Sequence, residues 1–272
     1  MPDASQFLVA TLYHLVPLPA PVALQAPWKA HLLRHGVTGT ILLTPEGING
    51  TIAGPEAGVR AALKFIQGHA EFARLVWKES WSPQNPFPRT KVKLKRETIP
   101  LGHPVNPQHA GAYIKPTEWN ALISQPNVIT IDTRNDYEVQ LGQFVGAQNP
   151  ATRTFKELPA WLEENLPADK KVPIAMYCTG GIRCEKSTAY LKEQGFENVY
   201  HLEGGILKYL EDVPAEQSLW QGACYVFDDR VAVDHSLAPV ADLQICKQCN
   251  APVNAADVRR GGCARCAGVA AA

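Results

Sequence analysis

The sequence predicts a mixed α/β chain in three parts, and three observations carry that prediction. Over residues 1–98 the apolar runs alternate as strand, helix, strand, strand, helix, strand. From Thr117 the pattern changes to helices interleaved with short, wholly apolar strands. Residues 217–272 form a small cysteine-rich tail with two Cys-x2-Cys pairs. At 272 residues the chain is long enough for two domains with cores of their own.

In the first part, residues 6–16 read as a strand and 22–35 as a helix ending at Gly36. Residues 39–44 and 48–53 read as a hairpin around PEGING, with Gly47 and Gly50 supplying the turn. Pro55 suits a helix start, and that helix extends to about Gly68. Residues 75–79 and 91–96 read as extended. This β-α-β-β-α-β order predicts a ferredoxin-like α+β sandwich over residues 1–98. Residues 82–90 hold three prolines and read as a rigid loop. Residues 99–116, with Pro100, Pro104, Pro107 and Pro116, read as a linker.

Residues 117–216 read as a parallel-sheet α/β domain with its site at the strand C-termini. Helices are expected at 117–124, 135–141, 155–166, 184–194 and 206–211. Strands are expected at 128–132, 172–177 and 199–200. Asn135 with Glu138 three residues on has the form of a capping box.

The strongest chemical signal is VPIAMYCTGGIRC, residues 172–184. An apolar strand delivers Cys178 into a tight loop (Thr179, Gly180, Gly181, Ile182) that opens a helix. Inward-pointing N–H groups and the helix N-terminus favour thiolate over thiol, and the thiolate is the reactive form. Arg183 adds a fixed positive fork able to hold an anion. Cys178 and Arg183 are therefore the expected catalytic residues. Cys184, on the first helical turn, reads as a packing residue, with a resolving thiol as the alternative.

Seven cysteines without an export signal point to a reducing compartment, and the chain is expected to be cytoplasmic. The run at residues 7–16 is short, contains His14 and lacks a basic leader, and no apolar run is long enough to span a bilayer. In the tail, Cys246, Cys249, Cys263 and Cys266 have zinc-ligand character, the alternative being redox-labile surface thiols. Four thiolates would make the ion structural.

The net charge of zero conceals an asymmetry: residues 1–98 carry 11 Lys/Arg against 6 Asp/Glu, and residues 99–219 carry 10 against 15. The basic excess lies at Arg74, Lys78, Arg89, Lys91, Lys93, Lys95 and Arg96. In an extended Lys91–Lys95 segment three lysines share one face, while Val92 and Leu94 face the core. Lysines repeating at about 7 Å suit a phosphate backbone. The alternative is a solvated edge strand guarded by lysine. Trp77 and Trp81 are placed either to stack on bases or to fill the core.

The Cys178-x4-Arg183 loop resembles that of rhodanese domains; similar cysteine phosphatases use a loop one residue longer. VITIDTRNDYE (128–138), with Asp132 and Arg134 as supporting residues, and VYHLEGGILKYLE (199–211) resemble rhodanese elements as well. Taken with TGTILLTPEGINGTIAG (38–54), RTKVKLKRE (89–97) and the cysteine-rich tail, the order resembles the rhodanese-domain tRNA uridine hydroxylases. That resemblance covers nearly the whole chain. It implies a central rhodanese-like domain, Cys178 as the active residue, and oxygen-dependent 5-hydroxylation of the wobble uridine. It further implies molecular oxygen as co-substrate and the tRNA anticodon region as partner. No flavin, haem or non-haem-iron signature is present, and nothing in the sequence addresses oligomeric state. A thiosulfate sulfurtransferase or sulfur relay using a Cys178 persulfide is the competing function, and a non-catalytic RNA-binding module is a third.

Overall fold

The structure, a computed structural model, describes residues 6–246, 251–254, 256, 263 and 266, and divides into two compact units, 1–100 and 101–272. The first unit contains β1 (Phe7–Leu15), α1 (Pro21–Arg34), β2 (Thr38–Thr44), β3 (Gly47–Gly54), α2 (Glu56–Gln67), β4 (Trp77–Ser82) and β5 (Thr90–Leu94). The sheet order is β4-β1-β3-β2-β5. The first four strands are antiparallel neighbours, and β5 joins the β2 edge in parallel. This is the expected ferredoxin-like arrangement with one strand added. Alternate residues of the central strands (Leu8, Leu12, Ile41, Ile52) and the apolar stripe of α2 (Val59, Leu63, Ile66) fill one core with Trp28 of α1.

Two local expectations change. Pro45 and Glu46 make the β2–β3 turn, and Gly47 only opens β3. Gly50 lies inside that strand. A Cβ there would stand 2.3 Å from Thr40 O, so glycine serves close strand approach rather than the turn. In β5, Val92 is buried as expected, but Leu94, at the end of an edge strand, stays 37% exposed.

The second unit begins before the expected domain boundary. Leu101 is fully buried, and β6 (Ala112–Ile114) pairs in parallel with β10 (Val199–Leu202). Much of the proline-rich segment is thus built into the domain rather than free. Then come α3 (Pro116–Ile123), β7 (Ile129–Asp132), α4 (Asp136–Val139), β8 (Gly142–Phe144), α5 (Leu158–Asn165), β9 (Ile174–Tyr177), α6 (Ile182–Glu193), β10 and α7 (Gly205–Asp212). The parallel sheet runs β6-β10-β9-β7, with β9 buried along its whole length. The capping box at Asn135 and Glu138 forms as expected.

The chain after 216 does not separate from this unit. β11 (Trp220–Gly222) pairs with β8, and β12 (Cys224–Tyr225) forms a hairpin with β13 (Ala232–Val233). Trp220, Cys224, Val226 and Val233 share one core with Trp119, Phe144, Tyr177 and Tyr209. Phe144 is the hub, meeting Tyr177, Tyr209 and Trp220 at 4.7–5.2 Å in edge-to-face contacts.

Candidate active site

Cys178 follows β9 directly, and α6 begins four residues later. Gly181 makes the change of direction with φ +104°, a conformation that disfavours any residue with a Cβ. Its carbonyl accepts from Cys184 N at 3.0 Å, starting the helix, and its N–H donates to Cys178 Sγ at 3.1 Å. The loop is fastened from behind by α7. Ile206 N–H donates to Cys178 O at 2.9 Å, and Leu207 N–H to Thr179 O at 3.1 Å. This contact requires Gly205: a Cβ there would lie 2.5 Å from Cys178 O and 2.7 Å from Gly181 N.

Cys178, Thr179, Gly181, Ile182 and Arg183 are all buried, and Gly180 is the most exposed member of the loop. Burial alone pushes the Cys178 thiol up. The Cys184 side chain, the Arg183 charge and the N–H groups of Arg183 and Gly181 outweigh it and bring the thiol down to about 5. Cys184 moves the opposite way, raised by its own burial and by the neighbouring Cys178. Thr133 Oγ1 lies 3.7 Å from Cys184 Sγ. Cys178 is thus the thiolate of the pair and Cys184 the thiol.

Arg183 does not project freely toward the loop centre. Its Nη1 and Nη2 donate to the two Glu138 oxygens at 2.5 and 2.7 Å, and Nη2 reaches Thr179 Oγ1 at 3.2 Å. Although burial opposes ionisation of Glu138, Arg183 holds its carboxyl below the usual range. From sequence alone Glu138 reads only as a helix-capping residue. The structure gives it both tasks, since Asn135 N–H donates to its Oε1 at 3.1 Å. The acidic residue six positions after Asp132 was the available signal.

Asp132 and Arg134 form a second, fully buried pair (Nε–Oδ1 2.9 Å, Nη2–Oδ2 2.6 Å). Arg134 also donates to Glu138 O at 3.3 Å and to Gly142 O at 2.6 Å, and its guanidinium lies 5.1 Å from the Trp220 ring centroid. The pair fixes the chain that carries Glu138 and so supports Arg183 indirectly.

The basic residues of the first unit do not form one cluster. Register puts Lys91 and Lys93, opposite Thr40 and Leu42, on the sheet face away from the helices. Lys78, opposite Thr11, is on that face too, but at the far edge, four strand spacings or about 19 Å away. Lys78 Nζ sits 4.8 Å over the Tyr13 ring. Arg74 precedes β4, Arg89 precedes β5, and Lys95 and Arg96 follow it; all four are exposed. Trp77 and Trp81 are half-buried and pack against the core, which favours the packing role.

In the tail, the sulfurs of Cys246, Cys263 and Cys266 lie within 4.8 Å of one another, and Cys246 Sγ to Cys266 Sγ is 3.7 Å. Two thiolates on one tetrahedral zinc would be about 3.8 Å apart, given a Zn–S bond of about 2.3 Å. The donor set therefore fits a metal ion. Cys249, the fourth expected ligand, lies outside the described residues.

Family comparisons agree with this layout. Residues 7–98 match the UPF0176 acylphosphatase like domain, and residues 115–212 match the rhodanese-like domain. Among solved structures, a rhodanese-like domain from Anabaena sp. is similar over 40% of this chain and 78% of its own, at 20% identity and TM-score 0.34. An Agrobacterium fabrum protein named tRNA uridine(34) hydroxylase is 55% identical over 95% of this chain and 82% of its own length. A protein of the same name from Acaryochloris marina is 51% identical over 94% of this chain and 83% of its own. The chain belongs to the tRNA uridine(34) hydroxylase family.

Proposed function

We propose that this protein hydroxylates C5 of the wobble uridine in the tRNA anticodon, using Cys178 as the nucleophile and molecular oxygen as co-substrate. One observation carries the reading beyond family membership: a thiol brought down to about 5 at the end of a parallel strand, in a tight loop anchored by two helices. A thiolate adds to C6 of a uracil ring and makes C5 electron-rich. C5 can then accept an oxygen atom, after which loss of the C5 proton expels the thiolate. Reduction of the second oxygen atom to water takes two electrons and two protons from a reductant.

The competing sulfurtransferase reading draws less support. A persulfide enzyme acting on thiosulfate benefits from a free cation in its loop, whereas Arg183 is matched by Glu138 in a neutral pair. The lysine-edged sheet face of the first unit is our candidate tRNA surface. Cys246, Cys249, Cys263 and Cys266 would hold a structural zinc, leaving no open position for chemistry. Among the described residues no helix is long and apolar enough to cross a membrane, and we place the protein in the cytoplasm with its tRNA substrate.

Nucleoside mass spectrometry tests the function. tRNA from cells lacking the protein should contain no 5-hydroxyuridine, and the wild-type chain should restore it. Cys178→Ser should not, while folding normally. Full modification by Cys178→Ser would overturn the role of the thiolate. Thiosulfate–cyanide turnover without any 5-hydroxyuridine would favour the sulfurtransferase.

A further inference from the structure

Phe227 stands in the turn between β12 and β13, beside the rim of the Cys178 loop. In that turn Val226, Asp228, Arg230 and Val231 are buried, while Phe227 is 56% exposed and Asp229 is also exposed. The turn is locked. Val226 N–H donates to Val231 O at 2.9 Å and Val231 N–H to Asp228 O at 3.0 Å. Arg230 closes on Asp228 with Nε–Oδ1 at 2.8 Å and Nη2–Oδ2 at 2.6 Å, both groups buried.

Three rings lead to the site. Tyr137 meets Tyr225 at 5.2 Å, and Tyr225 meets Phe227 at 5.1 Å, both edge-to-face. The Arg183 guanidinium lies over the Phe227 ring, 5.9 Å from its centroid. That distance is at the outer limit of a cation–π contact, so the cation does little to justify an exposed ring. Neither burial nor charge accounts for an aromatic side chain left 56% exposed on this hydrogen-bonded turn.

We infer that Phe227 is the stacking surface for the substrate uracil, a positioning residue for the reaction proposed above and dependent on that reading. A wobble base cannot present C6 to Cys178 while stacked in the anticodon loop. Once turned out, it loses its stacking neighbours, and a fixed aromatic face replaces them. Arg183, the charge that acts on the thiolate, is paired through both terminal nitrogens with Glu138. A flat apolar contact is therefore the complement this rim offers to the base.

The test compares Phe227→Leu and Phe227→Trp with the wild-type full-length chain by two readouts. The first is the rate at which 5-hydroxyuridine accumulates in tRNA after induced expression in cells lacking the endogenous protein. The second is iodoacetamide alkylation of Cys178, followed on the tryptic peptide 172–183, with and without an anticodon stem-loop carrying a wobble uridine. Phe227→Leu should slow hydroxylation about ten- to hundredfold and lose protection by the stem-loop, while Phe227→Trp keeps both. Alkylation without RNA should follow the same pH profile in all three, which a merely structural role would not ensure. Wild-type rate and protection in Phe227→Leu would overturn the inference while leaving the hydroxylase intact. Absence of 5-hydroxyuridine and of protection in the wild type would overturn both. Equal loss in the Leu and Trp variants would assign the ring to shape or to a protein partner instead, and overturn the stacking role.

Discussion

Replacing Arg183 with methionine removes a charge while keeping most of the side-chain volume, and its effect on Cys178 can be worked out. An opposite charge within a few ångströms lowers a thiol by about 1–3 units, or about 1.4–4 kcal/mol. Cys184 and the Gly181 N–H remain, so the midpoint should rise from about 5 to between about 6 and 8. With a two-unit rise, the thiolate fraction at about pH 5.5 falls from roughly three quarters to roughly 3%. Above about pH 9 both proteins are fully ionised, and the variant thiolate, being more basic, is several-fold more nucleophilic. The variant should therefore react more slowly than wild type in acid and faster in base. The assay is the rate of modification by a small neutral disulfide, localised to Cys178 by fragmentation of its tryptic peptide. Glu138, left buried without its partner, takes up a proton, and the broken pair costs about 3–5 kcal/mol in a urea melt. Rate–pH curves that superimpose would refute the claim that Arg183 sustains the thiolate. The linkage has a definite sign. The folded-state value lies below the ordinary 9.0, so the thiolate adds stability above about pH 9, and this is lost as pH falls toward about 5. Cys178→Ser should flatten that part of the stability–pH curve.

Gly205→Ala should be nearly as damaging to hydroxylation as loss of Cys178, because its Cβ would strike the loop carbonyl at 2.5 Å; wild-type 5-hydroxyuridine levels would contradict the loop anchoring. Changing Lys91, Lys93 and Lys95 together to Gln should weaken tRNA binding and reduce the logarithmic salt slope by about 0.7–0.9 per lost phosphate contact, read by gel shift at two salt concentrations. Unchanged affinity would move the docking surface elsewhere. Elemental analysis of protein purified without added metal should find one zinc per chain; none, with all four tail thiols freely titratable, would leave the 3.7 Å sulfur pair as surface thiols.

The Cys178 loop was legible because every part of it is local: the apolar run, the glycines and the arginine are consecutive. Its support was not. Glu138 is 45 positions from Arg183, signalled along the chain only by its place six positions after Asp132, and Gly205 touches the loop only after α7 docks. Prolines made residues 99–116 look like a linker, since β6 is too short to show an alternation. The basic residues fall within one stretch of sequence, but the sheet order puts Lys78 and Lys93 on opposite edges.

Phe144 and Trp220 have a consequence for biosynthesis. The catalytic domain borrows part of its core from β11 to β13, after the last strand and helix of its parallel sheet. During vectorial synthesis, α7 leaves the ribosome while Tyr177, Phe144 and Trp119 still lack their cover. The cysteine loop can take shape before then, but the domain that carries it cannot close. Final packing waits for residue 233 or so to emerge, and the nascent chain spends that interval with an aromatic surface open to chaperones.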